Sequence, residues 1–500
     1  YVHFHITKTY TSALSFTAAA EQSAQGNTVS LAKVNASGLV LGGMVMQGTA
    51  AGNTVTLTNG SAAADVYGGI SGVGAAQGNT VTISGSTAGS VYGGAAGLLG
   101  TDAGSLRSTL INSMPTVDYT SIKEYESYDD GWSYTYQGTT LTDVAYTPTV
   151  TGSVSSASGN TVNLVSGTVD AIYGGYAVDS TMDANVAAPT VQLKYSFNED
   201  DWVWVAEAVD SSDASDAEIS VMTAEAAEPT STTYKSGAAN DNTVNVYAGT
   251  VNNGITGGYS QSSTANNNTV NFYGGTVTKG IIGGQSESGT ANNNTVNFAN
   301  GTAASGIVSG KSETGTANGN TVNFYSGTTN ANIVGGQAES EANNNTVNFS
   351  GGTVANGIIG GQSDSSTANG NTVNFYSGTT NTNIVGGQAK SEANNNTVNV
   401  FGGTVAEGVI GGQSDSGTAN DNTINFYGGT VTEGLLGGQS TTGAAKDNTV
   451  NLYAALLTSE GKLYGGQGTE STGNTLNVYA KGSSVKNLDY FQNMNFYVPA

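Results

Sequence analysis

A short motif, Asn-Thr followed by Val, Ile or Leu, recurs along the chain at a spacing of 25 or 26 residues. Only two intervals are longer, from Asn79 to Asn160 and from Asn160 to Asn242. A fixed period of this size indicates a stack of similar units, because one unit alone cannot bury its apolar side chains. The repeat therefore favours a solenoid over several independent globular domains.

The unit that begins at Asn268 shows which secondary structure the repeat adopts. Polar and apolar residues alternate over positions 269–273, with Val270 and Phe272 on one face, which is the pattern of a half-buried strand. Two Gly-Gly pairs mark turns around two further short strands, the last of which contains Ile281. Helices are excluded, because the period of 3.6 residues is missing and Gly, Asn and Thr are poor helix formers.

Stacked coils with about three strands each predict an all-β fold, a parallel β-helix of about fourteen coils of 25–26 residues. The crossover preference favours a right-handed helix, and a left-handed hexapeptide helix is the second choice. A residue at the same place in every coil stacks on itself, so the motif asparagines are expected to form a hydrogen-bonded ladder and to tolerate the left-handed conformation of a coil corner. The asparagines expected in this ladder are Asn242, Asn268, Asn294, Asn320, Asn345, Asn371, Asn396, Asn422 and Asn448. A second ladder is expected at the glutamines that follow the closing Gly-Gly pair, such as Gln337 and Gln362.

The composition excludes several classes of partner. The formal net charge is -24 and Arg107 is the single arginine, whereas binding to nucleic acid requires clustered cations. The same charge disfavours direct docking on anionic lipid, and no apolar run has the length of a membrane helix. The chain has no cysteine, so its stability cannot come from disulfides.

The two long intervals predict insertions at one place in the coil, the polar return loop. Because they leave from successive coils, they are expected to form one composite lobe on the flank of the rod. The resulting division is an N-terminal strand or cap at 1–26, coils at 27–94, the first insertion at 95–158, a coil at 159–175, the second insertion at 176–239, coils at 240–480 and a C-terminal cap or junction at 481–500.

The insertions contain all three tryptophans and four of the five prolines, so their composition differs from that of the coils. Insertions into a repeat array often carry the binding function, and aromatic rings beside carboxylates suit sugar rings. The candidate ligand-binding residues are Trp132, Tyr134, Tyr136, Trp202, Trp204, Asp129, Asp130, Asp200 and Asp201. The alternative is that these aromatic residues form the small core of the lobe itself. The acidic run from Asp210 to Glu228 is interpreted as a solvated loop.

No constellation of catalytic or metal-binding residues is recognised, and the expectation is a protein without enzymatic activity, metal or cofactor. His3 and His5 are the only histidines and suggest no third ligand, so an ordinary strand is favoured there. No Gly-x-Ser-x-Gly motif is present. A polysaccharide hydrolase that uses two carboxylates of the lobe stays open as a less favoured alternative.

Repeats such as NTVNFYGGTVTKGIIGGQSESGTANN and NTVTISGSTAGSVYGG resemble those in passenger domains of Gram-negative autotransporter (type V secretion) proteins. The resemblance covers roughly 21–94, 159–175 and 240–480, and the segment from Leu488 to Pro499 looks like the one that closes a passenger before its membrane barrel. In such proteins a C-terminal barrel anchors the passenger, and the expectation is that this barrel was cleaved or that the sequence comprises the passenger alone. The family carries no catalytic residues to transfer.

The resemblance implies an extracellular or cell-surface location, displayed at the outer membrane or released. It implies adhesion to a host or bacterial surface glycan or protein, self-association, or a biofilm scaffold, with contact to a membrane only through the absent barrel. The alternative from the repeat itself is a self-assembling filament or surface-layer protein. The sequence thus predicts a rod that provides reach and an inserted lobe that provides specificity.

Overall fold

The computed structural model describes residues 22–62, 64–97, 155–184, 230–458 and 461–497, together with short strands at 8–9, 13–15, 124–128, 143–145, 192–193, 196–198 and 201–206. The chain divides into two units. One, called the solenoid below, comprises Gln22–Gly100, Ser153–Ser180 and Tyr234–Ala500. The other, called the insertion unit, comprises Tyr1–Glu21, Thr101–Gly152 and Thr181–Thr233.

The solenoid is a parallel β-helix of about 13 turns, and all regular secondary structure in the described residues is strand. Its first sheet contains the Asn-Thr motif and has 15 parallel strands. They are Thr28–Ala32, Thr54–Thr58, Thr80–Ser84, Thr161–Leu164, Thr243–Val246, Thr269–Phe272, Thr295–Phe298, Thr321–Phe324, Thr346–Phe349, Thr372–Phe375, Thr397–Val400, Thr423–Phe426, Thr449–Leu452, Thr475–Val478 and Asn493–Phe496. The fold class predicted from the repeat is therefore confirmed.

The second sheet has 12 short strands, one from each of the coils it crosses. They are Asn35–Ala36, Ser61–Ala62, Ser86–Ala88, Gly167–Val169, Thr250–Val251, Thr276–Val277, Thr302–Ala303, Thr328–Thr329, Thr353–Val354, Thr379–Thr380, Thr404–Val405 and Thr430–Val431. These strands are only two or three residues long because Gly turns flank them on the first-sheet side.

The third sheet precedes the return loop, so it is the sheet from whose ends the insertions leave. Its strands are Gln22–Gln25, Val40–Leu41, Met44–Ala51, Val66–Gln77, Val91–Ala96, Ser156–Ser158, Ile172–Ala177, Ile255–Ser260, Ile281–Ser286, Ile307–Ser312, Ile333–Ala338, Ile358–Ser363, Ile384–Ala389, Gly408–Ser414, Gly434–Ser440, Lys462–Gln467 and Asn487–Asp489. Equivalent positions of neighbouring coils pair directly, for example Ile281 with Ile307.

The insertion unit contains different, short pairings. Glu124–Tyr128 from the first insertion pairs antiparallel with Asp201–Ala206 from the second, which also pairs antiparallel with Ser196–Asn198. Lys8–Thr9 pairs antiparallel with Gln192–Leu193, and Asp143–Ala145 pairs parallel with Ala13–Ser15. At the boundary between the units, Ser180–Ala184 pairs with Thr230–Tyr234, so the two ends of the second insertion are joined.

The core of the solenoid consists of columns of equivalent apolar residues, one from each coil. The Val270 and Phe272 columns of the first sheet, the Val277 column of the second and the Ile281 column of the third form one continuous buried cluster. Five phenylalanines of one column, from Phe272 to Phe375, stack with ring centroids 4.7 to 5.2 Å apart. Stacked rings of this kind add about 0.5–1.5 kcal/mol per pair to the effect of burial.

The motif asparagines form an unbroken inner ladder from Asn27 to Asn474. Each side-chain Nδ2 donates to Oδ1 of the next asparagine, at distances of 2.8 to 3.1 Å along the 13 links. The same Oδ1 also accepts the backbone N–H of the preceding asparagine, as in Asn294 to Asn320 at 2.8 Å. Every rung from Asn53 to Asn474 is fully buried, so each coil satisfies the buried amide of its neighbour. The ladder passes both insertion points without a gap.

The left-handed corner of the coil lies one residue before the ladder asparagine, and not on the asparagine as the sequence analysis expected. Only Gly, Asn and Asp occupy this corner position, for example Gly319 with φ 67° and Asn293 with φ 57°. The Gly-Gly pair of the third sheet has a different role. A Cβ at Gly284 would lie 2.3 Å from the carbonyl oxygen of Ala265 and 2.4 Å from Oδ1 of Asn294, so the glycine makes room for the ladder.

We expect Asn320→Ala to destabilise the solenoid by on the order of 3 kcal/mol, because it leaves two buried donors of Asn294 without an acceptor. The measurement is the midpoint of urea unfolding together with hydrogen exchange at the Asn294 amide, which should become faster. Asn323→Ala is the matched control in the same coil, since Asn323 lies on the outer face of the same strand. Its cost should stay below about 1 kcal/mol. Equal costs for the two variants would contradict a structural role of the inner ladder.

Candidate interaction surface

The outer face of the first sheet carries three parallel rows of side chains. In the coil of Asn268 they are Thr269, Asn271 and Tyr273, which alternate with the buried Val270 and Phe272. Neighbouring strands of a sheet lie about 4.8 Å apart, so each row repeats at this distance. All three rows are free of charged residues over the 15 strands, although the whole chain has a formal net charge of -24. We call this surface the uncharged face.

The middle row of the uncharged face is a second asparagine ladder. From Asn245 to Asn495 each Nδ2 donates to Oδ1 of the preceding asparagine, at 2.7 to 2.9 Å, and the row begins at Asn163. These bonds run toward the N-terminus, whereas those of the inner ladder run toward the C-terminus. Each outer amide keeps one N–H and one lone pair for a partner.

The glutamines for which a second ladder was expected lie elsewhere. Gln337 and Gln362 are in register on the third sheet, but within the described part of the chain no hydrogen bond joins their side chains. The second ladder therefore belongs to the column of Asn271 on the first sheet.

The third row of the uncharged face becomes aromatic in the C-terminal coils. Six successive rings stack at centroid distances of 4.6 to 4.8 Å. They are Tyr376, Phe401, Tyr427, Tyr453, Tyr479 and Tyr497, and 37% to 55% of each residue is exposed. Because every inner ring has a neighbour against both faces, the row presents ring edges and phenol hydroxyls to the solvent. A sugar ring cannot stack flat on the four inner rings, so a partner would meet those rings edge-on.

A second group of aromatic residues lies on the third sheet, on the coils from which the insertions leave. Tyr67, Tyr92 and Tyr173 stack at 4.5 and 5.0 Å, and Tyr176 contacts Tyr92 and Tyr173 edge-on and stacks on Tyr259 at 4.9 Å. Burial, followed by the neighbouring Tyr92 and by Asp65, raises the pKa of Tyr67 far above its usual value. Burial also raises the pKa of Tyr92, of Tyr173 and of Tyr259, whose hydroxyl donates to Glu287. These phenols stay protonated at physiological pH. Their ring contacts connect the successive coils from which the insertions leave.

Asp179 fastens the base of the second insertion. Its carboxylate accepts hydrogen bonds from the Ser262 hydroxyl at 2.8 Å, the Ser236 backbone N–H at 2.8 Å and the Lys235 ammonium at 3.0 Å. Asp179 lies where the chain leaves the solenoid, and Lys235 and Ser236 lie where it returns. The hydrogen bonds therefore join the two ends of the second insertion to each other and, through Ser262, to the next coil. Partial burial raises the pKa of Asp179, but the three hydrogen bonds and the charge of Lys235 outweigh this effect and hold it below its model-compound value.

Most of the ligand-binding residues predicted in the insertions lie outside the described residues. This applies to Asp129, Asp130, Trp132, Tyr134, Tyr136 and Asp200, and also to His3, His5 and the acidic run 210–228. Asp201, Trp202 and Trp204 lie on the strand Asp201–Ala206, where Tyr128 is the pairing partner of Trp202 and Glu126 that of Trp204. The pairing brings one strand of each insertion together, and a shared binding site on them stays a prediction.

Among the described residues, no group of three or more His, Asp or Glu residues is arranged to hold a metal ion. No helix in the described ranges has the length and hydropathy needed to cross a bilayer.

Comparison of the chain with protein families, with curated proteins and with solved structures found no match. The surface features above therefore rest on the geometry of this chain alone.

Reasoning from the sequence missed the aromatic row and the outer ladder, although both are visible in the aligned repeats. The position after the buried column, that of Tyr273, is aromatic in nine coils, and the Asn271 position is Asn in all coils from Asn163 onward. The recurrence of Asn and of aromatic residues at these two outward-facing positions indicates both features. The tryptophan content instead favoured the insertions as the binding site.

We expect acid to loosen the base of the second insertion through Asp179. Because its pKa is lower in the folded state, its contribution to stability is fully present above the unfolded value of 3.8 and is lost as the pH falls through the folded pKa. Hydrogen exchange at the Ser236 amide, measured between about pH 5 and pH 2 and corrected for intrinsic rates, should show the loss.

Asp179→Asn keeps an acceptor for the Ser236 amide but removes the titratable charge that pairs with Lys235, so it should cost on the order of 2 kcal/mol and should abolish the difference in exchange between the two ends of the pH range. Asp364→Asn is the control, because Asp364 is an exposed carboxylate of a return loop elsewhere in the solenoid. An acid-induced loss that persists unchanged in Asp179→Asn would show that another group is responsible.

Proposed function

We propose that this chain is a non-enzymatic passenger of the bacterial cell surface, of the autotransporter kind, and that it acts as a β-helical rod for adhesion or surface scaffolding. The observation that carries the proposal is the uncharged face, which runs along all 15 strands of the first sheet in a strongly acidic chain. The solenoid and the resemblance of its repeats to such passengers support the assignment.

The chemistry of the uncharged face favours a neutral, hydroxyl-rich partner such as a glycan on a host or bacterial surface. Threonine hydroxyls, outer asparagine amides and phenol hydroxyls each offer hydrogen bonds in rows. An anionic partner would be repelled by the acidic chain, and a cationic partner would find no carboxylate in the three rows. Binding is expected to be multivalent, since many weak and equivalent sites lie side by side.

This proposal moves the main contact surface away from the insertions. The lobe suggested by the aromatic content of the insertions remains a second candidate, because strands from both insertions pair with each other at Trp202 and Trp204. The two candidates differ in the chemistry of contact. The uncharged face offers ring edges and hydrogen-bonding groups in rows, whereas a lobe site was expected to stack sugars on free ring faces.

The test uses the complete chain and a triple variant, Tyr376→Glu, Tyr427→Glu and Tyr479→Glu, which places charge along the aromatic row. Binding to a glycan panel and to cultured cells is measured. We expect at least a tenfold loss, because three unpaired charges would have to be desolvated at the contact. The matched control adds the same charge on exposed return-loop residues, with Ser365→Glu, Ser416→Glu and Thr442→Glu.

A second variant, Trp202→Ala with Trp204→Ala, tests the insertions separately. Thermal unfolding of all variants establishes that the solenoid remains folded. The proposed role of the uncharged face is wrong if the triple tyrosine variant binds like the unmodified chain, and loss of binding in the tryptophan variant alone would assign adhesion to the insertions.

A further inference from the structure

Among the described residues, both ends of the first sheet are open. Thr28–Ala32 is its first strand and Asn493–Phe496 its last, and within the described ranges each pairs with another strand on one side only. The free side of such a strand carries unpaired backbone N–H and C=O groups, which form a template for pairing with another chain. The two free edges belong to the same sheet and run in the same direction, because every pairing between them is parallel.

The apolar columns of the core end in accessible side chains at the C-terminal end. Met494 and Phe496 are 43% and 67% exposed, whereas Leu476 and Val478, their neighbours in the same columns, are 2% and 8% exposed. At the other end of these two columns lie Val29 and Leu31, which are only partly buried. Each end thus presents two apolar positions, and the positions belong to the same columns.

The asparagine ladders give the two ends opposite hydrogen-bonding character. At the N-terminal end Asn27 is exposed and donates to Asn53, so its own Oδ1 is a free acceptor among the described residues. At the C-terminal end Gln492 is exposed, and its Oε1 accepts the backbone N–H of Asn474 at 2.9 Å. The amide group of Gln492 therefore continues the inner ladder and offers its N–H donors outward.

The outer ladder has the reverse polarity and leads to the same pairing. Asn495 donates to Asn477 at 2.9 Å, which leaves its Oδ1 as the acceptor at the C-terminal end. The equivalent position at the N-terminal end is Ser30, whose exposed hydroxyl can donate. A C-terminal end placed against an N-terminal end thus matches donor with acceptor in both rows, whereas two ends of the same kind would place acceptor against acceptor in one row.

We propose that the two ends of the solenoid bind each other in successive copies of this chain, head to tail. The strand Asn493–Phe496 of one copy pairs with Thr28–Ala32 of the next. In this arrangement Met494 and Phe496 cover Val29 and Leu31, and the Gln492 amide donates to Oδ1 of Asn27. A heterologous contact that does not close into a ring produces an open string of copies. This inference goes beyond adhesion through the uncharged face and does not depend on it.

The test uses the complete chain and two variants that block one end each. Leu31→Lys places a charge in the N-terminal contact, and Gln492→Glu removes the C-terminal donor while keeping the acceptor for Asn474. Sedimentation velocity over micromolar to millimolar concentrations should show growing oligomers for the unmodified chain, and electron microscopy should show solenoids joined end to end. Each variant alone should be monomeric, with circular dichroism like that of the unmodified chain.

An equimolar mixture of the two variants provides the decisive measurement. Each retains one competent end, so the mixture should form a complex of two chains and nothing larger. Phe496→Lys is a second block of the C-terminal end and should behave like Gln492→Glu. Tyr427→Lys is the control for lateral packing, and it should assemble like the unmodified chain. A monomeric unmodified chain, a mixture that stays monomeric, or loss of assembly in Tyr427→Lys would overturn the proposal.

Discussion

The structure depends on a buried amide that is satisfied by the neighbouring coils. From Asn53 to Asn474 each inner asparagine places its Oδ1 where it accepts hydrogen bonds from N–H groups of the preceding asparagine, and these buried groups would cost free energy if they were left unpaired. A shift of one coil relative to its neighbour would leave these groups unpaired. The ladder therefore fixes the register of all three sheets, and the apolar columns, the outer ladder and the aromatic row follow from that register. In a chain without cysteine, the ladder and the stacked core share the role that disulfides have in many extracellular proteins.

Much of the solenoid could be predicted because its physical signals lie within a single repeat. The alternation around Val270 and Phe272 defines the buried face, and the period of Asn268 defines the stack. Finer assignments failed where two residues had similar chemistry. The left-handed corner is at Asn267 and not at Asn268, since both are asparagines and only the backbone distinguishes them. The second ladder was expected at Gln337 instead of Asn323, because a ladder depends on side-chain length and sheet position as well as on repetition.

The candidate surface was harder to predict than the fold. The sequence directs attention to rare residues, and Trp202 and Trp204 are rare, whereas the aromatic row is a column of common tyrosines in a repeat. The character of this row emerges only when rings from different coils are placed 4.6 to 4.8 Å apart, because both faces of each inner ring are then covered and only the edges remain free. Stacking thus changes a surface that would attract flat ligands into one that offers hydrogen bonds. No inspection of a single repeat could have shown this.

The inner ladder continues without a gap across both insertions, so the solenoid can accept long insertions at the return loop. Asn79 donates to Asn160 and Asn160 to Asn242 with the same geometry as between ordinary coils, although 81 and 82 residues separate the partners. The entropic cost of closing a loop grows only slowly with its length. The stability of the solenoid should therefore depend little on the length of the segment inserted at this return loop. The return loop is therefore an insertion site, at which a new domain could be added by evolution or by design. The hydrogen bonds of the inner asparagine ladder would stay intact.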